Sequence, residues 1–166
     1  MTKPAPGPVN NGLPFKIWFG VTSWQLFNDS RIDADFILGA SYDPVHFGKH
    51  IEAGIYFDSA GVLEDKPNYE YYGGGVEVRG YLYPVNSHHR FDPYVSAGYG
   101  VYRAEIDSYI PPEFRYGYDS STVLAPRFTV GFDLCKRFFL EASYTAFGNH
   151  FDRDLGRGGV EAGFRF

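Results

Sequence analysis

Residues 158–166 read GGVEAGFRF. Val160, Ala162, Phe164 and Phe166 alternate with Glu161, Gly163 and Arg165, and a period of two is the pattern of a β-strand with two unlike faces. One face is apolar. The other carries an acid, a glycine and an arginine. The fold turns on which face is inside. In a soluble sheet the apolar face is the core. In an inverted barrel it meets lipid, and the charged face lines the interior.

The same alternation recurs along the chain. Ile51, Ala53, Ile55 and Phe57 oppose Glu52, Gly54 and Tyr56. Val76, Val78, Gly80 and Leu82 oppose Glu77, Arg79 and Tyr81. Phe128, Val130 and Phe132 oppose Arg127, Thr129, Gly131 and Asp133. Leu140, Ala142, Tyr144 and Ala146 oppose Glu141, Ser143 and Thr145. The spacing predicts eight strands, over 15–26, 34–43, 49–58, 69–83, 93–104, 123–134, 138–148 and 158–166. Strand one leaves its parity open, because Ile17, Phe19 and Val21 compete with Trp18, Trp24 and Leu26 for the apolar face.

Composition narrows the class. The chain has 166 residues, enough for one domain with a real core. Its 14 Tyr, 16 Phe and 20 Gly, without Ala- and Leu-rich stretches, argue against a helical bundle. It has no run of about 18 apolar residues, so a transmembrane helix is not expected. A net charge of -5 gives no basic footprint for nucleic acid. Cys135 is the one cysteine, so no internal disulfide is possible, and a near-surface or turn thiol is its expected role rather than a catalytic one. Residues 1–14 lack the charged head and apolar run of a signal peptide and read as a flexible segment before a single domain over 15–166. An exported form would carry its signal outside this chain.

Three features favour the inverted reading. Gly39, Gly54, Gly73, Gly75, Gly98, Gly100, Gly131 and Gly163 crowd the charged face, as a narrow filled interior requires. Tyr42, Phe57, Tyr69, Tyr83 and Phe138 recur near strand ends, as in an aromatic belt. Connections alternate between short ones (DPVHFGK, CKR) and longer ones (SAGVLEDKPN, NHFDRDLGRG), and the strand number is even. The expected fold is all-β: an eight-stranded antiparallel up-and-down transmembrane barrel.

The terminal strand resembles that of bacterial outer-membrane barrels, in which an aromatic, usually Phe, ends a run of alternate apolar residues. Val160, Ala162, Phe164 and Phe166 match that pattern, and residues 93–102, PYVSAGYGVY, resemble the fifth strand of small barrels of the OmpA, OmpX and OmpW type. The resemblance implies residence in the bacterial outer membrane, contact with the lipid bilayer and lipopolysaccharide, and a terminal signal read by the barrel-assembly machinery. Pro126 departs from the pattern on the lipid face, because it donates no ladder hydrogen bond. Strand six is therefore expected either to start near Arg127 or to bulge there.

Inside such a barrel, ionisable groups must pair. The expected network comprises Glu52, Glu77, Arg79, Arg127, Asp133, Glu141, Glu161 and Arg165, plugging the lumen. The third long connection, 106–122, carries Tyr109, Phe114, Tyr116 and Tyr118 as candidates for an outer contact. No metal site or cofactor is expected: His46 and His50 do not converge on a strand or turn as they would on a helix, and His88–His89 read as polar turn residues. YTAFGNHFD, residues 144–152, invites comparison with lipid A deacylase barrels, but Ser143 precedes His150 by seven residues and their His-x-Ser spacing is missing. The expected function is a non-catalytic outer-membrane barrel with a structural or surface-interaction role. The alternatives are a route for small apolar molecules, as in OmpW-like proteins, a lipid A-modifying hydrolase, and a soluble or designed barrel with the same pattern.

Overall fold

The computed structural model describes residues 14–26, 34–61, 69–84, 91–110, 115–134, 137–150 and 153–166. Eight strands run β1 (Phe15–Leu26), β2 (Ala34–Phe47), β3 (Ile51–Gly61), β4 (Tyr69–Tyr81), β5 (Phe91–Ile110), β6 (Arg115–Leu134), β7 (Phe138–His150) and β8 (Arg153–Arg165). Each pairs antiparallel with the next, and β8 pairs with β1 from Lys16↔Arg165 to Leu26↔Leu155, closing the barrel. Phe166 N–H donates to the Phe15 carbonyl at 2.9 Å, so the two strand ends meet. They lie at the same end as the turns β2–β3 and β6–β7, here the turn end.

Closure fixes the inside-out arrangement. Phe19, Val76, Val95, Leu124 and Val130 point outward and are exposed, while Lys16, Glu52, Arg79, Arg127 and Glu161 are buried. A band of exposed apolar side chains around a charged interior is unfavourable in water and favourable in a bilayer, where the closed ladder also satisfies the backbone. At the turn end the outer wall carries aromatic pairs: Phe15 on Tyr42 and Phe138 on Phe164, both with ring centres 4.6 Å apart, and Phe91 with Phe132 at 4.8 Å. Strand one resolves in favour of Ile17, Phe19 and Val21 outside, with Lys16, Trp18 and Thr22 inside.

The structure corrects several boundaries. β2 continues to Phe47, beyond the expected 43, because a bulge between Tyr42 and Val45 absorbs Pro44. The turn proper is 48–50, where Gly48 has φ 69°, a conformation that favours glycine. The 106–122 connection is mostly ladder: β5 and β6 stay paired from Phe91↔Leu134 to Ile110↔Arg115. Its Ser, Tyr and Thr residues resemble loop polarity, but past the apolar band both faces of a hairpin can be polar. Strand six neither starts at Arg127 nor bulges at Pro126. It runs through Pro126 in register with Tyr99 on β5, because the face of Pro126 that lacks a donor is turned from that ladder. The interruption is on the other side. β6 pairs with β7 only from Arg127↔Thr145 to Leu134↔Phe138, the shortest of the eight seams among the described residues.

Candidate functional site in the barrel lumen

Among the described side chains, alternate residues of each strand turn inward and stack in tiers. Nearest the turn end, Arg79 donates from Nη1 to Asp43 at 2.9 Å and from Nη2 to Glu77 at 2.5 Å. Arg165 reaches Asp133 at 3.2 Å and Glu52 at 3.4 Å, and also bonds the Tyr81 hydroxyl. Tyr81 in turn donates to Glu52 at 2.9 Å. Lys16 donates to Glu141 at 3.0 Å with its ammonium 4.0 Å from the Phe139 ring centre, and Tyr94 donates to the same Glu141 oxygen at 2.5 Å.

In the middle tier, Arg127 donates from Nη2 to Glu161 at 2.9 Å and stands 3.7 Å from Glu141. Ser143 donates to the other Glu161 oxygen. The rings of Trp18 and Tyr56 each lie 5.2 Å from the Arg127 guanidinium. Trp18 fits because the facing residue on β2 is Gly39, where any Cβ would collide with the indole.

The far tier is largely aromatic and apolar. Tyr71, Tyr102 and Phe147 pack at ring-centre distances of 5.3–5.8 Å, with Ala60, Ala104, Val123 and Ala125 buried beside them. The hydroxyls of Tyr56 and Tyr102 are 2.7 Å apart. Arg157 sits 4.4 Å over Tyr71 and donates from Nε to Thr22 at 2.6 Å. Asp58 lies 3.7 Å from Arg127 and 3.8 Å from Arg157.

The eight ionisable residues expected inside all turn inward, seven of them buried and Asp133 half-buried. Arg79 joins Glu77 and Arg127 joins Glu161 directly, whereas Arg165 goes to Asp133 and Glu52. Sequence reasoning missed Lys16, Asp43, Asp58 and Arg157. Lys16 was hidden by the open parity of strand one, whereas Asp43 falls within the expected strand 34–43 and shares parity with Gly39. Asp58 and Arg157 were legible, since they share parity with Tyr56 and Glu161.

Val160, Phe164 and Phe166 are exposed on the outer wall, and Ala162 is half-buried there. Tyr109, Tyr116 and Tyr118 belong to β5 and β6 rather than to a loop, with Tyr109↔Tyr116 opposed in the ladder. Phe114, Tyr69's side chain, Cys135 and His88–His89 lie outside the described residues. His46 approaches Glu52 at 3.6 Å, while the His50 ring meets the Tyr81 carbonyl at 3.2 Å, so the two histidines serve different partners. Ser143 is bonded to a buried carboxylate.

No family model and no curated protein matches the chain. Solved structures do. Neisserial surface protein A aligns with a TM-score of 0.61 at 13% identity, covering 91% of this chain and 94% of that one. Ail, the attachment invasion locus protein of Yersinia pestis, aligns at 0.53 and 16% identity, covering 92% and 96%. The N-terminal β-barrel domain of Pseudomonas aeruginosa OprF aligns at 0.52 and 14% identity, covering 91% and 97%. At such identities the likeness is one of fold, and in fold this chain is a small eight-stranded antiparallel barrel of the outer-membrane type.

Proposed function

We propose that the protein is a non-catalytic outer-membrane barrel whose lumen is plugged and whose long β5–β6 hairpin makes contacts at the cell surface. The observation that supports it most is the crossing of the lumen by direct ion pairs from Lys16, Arg79, Arg127 and Arg165, backed by the Tyr71–Tyr102–Phe147 packing. An eight-stranded barrel has room for side chains and little else. The far end would face outward, and Tyr109, Phe114, Tyr116 and Tyr118 would be offered to lipopolysaccharide or to a partner there. Val160, Ala162, Phe164 and Phe166 would serve as the signal for the assembly machinery. The test is refolding into planar bilayers: a heat-modifiable, folded protein with no stable porin-sized openings supports the plug, and ohmic openings of that size reject it. Any residual current should favour cations, because eight buried acids face five buried bases among the described residues.

A second reading, lateral passage of small apolar molecules, is favoured by the short β6–β7 seam. Above Arg127 the ladder to β7 stops, and the buried Val123, Ala125 and Phe147 stand directly behind that edge. A crosslink joining β6 to β7 above Pro126 should abolish uptake of an apolar dye into proteoliposomes if this route operates, and leave it unchanged if it does not.

A further inference from the structure

The tiers differ in how their charges meet. Near the turn end, Arg79 and Lys16 hydrogen-bond their acids directly, at 2.5–3.0 Å. Around Asp58 they do not. Asp58 is wholly buried, yet neither of its oxygens makes a hydrogen bond to any described residue. The same holds for Nε of Arg127, both Nη atoms of Arg157 and Oγ1 of Thr145, all in residues at most 2 % exposed. The opposed charges stop at 3.7 Å for Arg127 and Asp58, and at 3.8 Å for Arg157 with both Asp58 and Glu161. Those separations exceed a hydrogen bond, so the charges attract without bonding and their remaining donors and acceptors still need a partner.

Donor and acceptor character selects that partner. On one side, guanidinium N–H groups of two arginines need an acceptor. On the other, the two oxygens of Asp58 need donors. A chloride ion accepts but offers Asp58 nothing. A sodium ion suits Asp58 but is repelled by Arg127 and Arg157. Water does both, and buried polar groups without direct partners are its usual sites.

We infer that Asp58, Arg127, Arg157 and Thr145 form a site for bound water in the far half of the lumen. The plug is thus bonded directly through Lys16 Nζ and the Arg79 Nη atoms near the turn end, and hydrated above the Arg127–Glu161 pair. This rests on the barrel fold and not on the surface role proposed above.

The experiment uses the whole chain folded in lipid nanodiscs, with arginine side chains labelled for nuclear magnetic resonance. Water-to-proton cross-peaks are expected at Arg127 Nε–H and Arg157 Nη–H and not at Arg79 Nη–H. Asp58→Glu lengthens the carboxylate, closes the gap and should remove the Arg157 cross-peak while leaving Arg79 unchanged. Thr145→Val, which keeps the side-chain shape, should weaken the same cross-peak and serves if Asp58→Glu does not fold. Absence of water contact at Arg157 in the unmodified protein, or an unchanged cross-peak in the folded variants, overturns the site. Loss of the signal on raising chloride would assign it to an anion and overturn it equally.

Discussion

Glu141 on β7 and Glu161 on β8 are directly opposed in the ladder, both inside the lumen, and Arg127 from β6 reaches across to them. Two facing carboxylates repel unless a cation lies between them. Arg127→Met should therefore destabilise the folded barrel by about 3–5 kcal/mol, the usual cost of leaving buried charge uncompensated. Glu161→Gln added to Arg127→Met should recover much of that loss. Urea unfolding in lipid vesicles measures both. A double variant no more stable than the single one would show that Arg127 acts through packing against Trp18 and Tyr56.

The outward band gives a depth-dependent expectation. Val130 lies in the middle of the β6 apolar run, and Leu82 lies just past the turn end of β4. In a bilayer, Val130→Arg should cost about 2–4 kcal/mol and Leu82→Arg about 0–1 kcal/mol. Equal costs at the two positions would contradict a membrane-embedded wall.

Trp18 and Gly39 test the packing of the middle tier. Gly39→Ala pushes a methyl into the indole and should cost about 1–3 kcal/mol. Trp18→Phe in the same chain should relieve part of it, a coupling read from the double-mutant cycle.

Along β6 between 122 and 126, amides alternate between β5 and the unpaired side. Those aimed at β5 should exchange slowly with deuterium. Those aimed at β7 should exchange much faster than any amide from Phe128 to Phe132, where both neighbours are present. Uniform protection across 122–132 would mean that the seam closes in the membrane.

Phe166 separates assembly from stability. Its ring is exposed on the outer wall at the turn end, so its loss should cost the finished barrel little, on the order of 1–3 kcal/mol at most. If the assembly machinery reads it, as proposed, deleting Phe166 should sharply cut surface yield in cells while detergent refolding proceeds nearly as before. Parallel falls in both yields would reduce Phe166 to an ordinary packing residue.

Period-two alternation made the barrel legible, because one slipped residue would exchange every inward and outward side chain of a strand. That is why Glu52, Glu77, Arg127 and Glu141 could be placed inside from parity alone. Partner choice was less legible. Arg165 reaches Asp133 and Glu52, on β6 and β3, across the lumen, and no local spacing encodes a contact across a barrel. Pro44 and Pro126 show the remaining gap: each removes a donor, but only the surrounding ladder decides whether a bulge or a one-sided break follows.

The meeting of Phe15 with Phe166 has a practical corollary. The junction between β1 and β8 is held by a longer ladder than the one between β6 and β7, so chain order is not what closes the ring. A circularly permuted gene, with a short linker joining the old ends and new ends opened in the β6–β7 turn, should encode the same cylinder. Its new ends would flank the shortest seam, which makes that permutant a direct probe of whether covalent continuity there matters to closure.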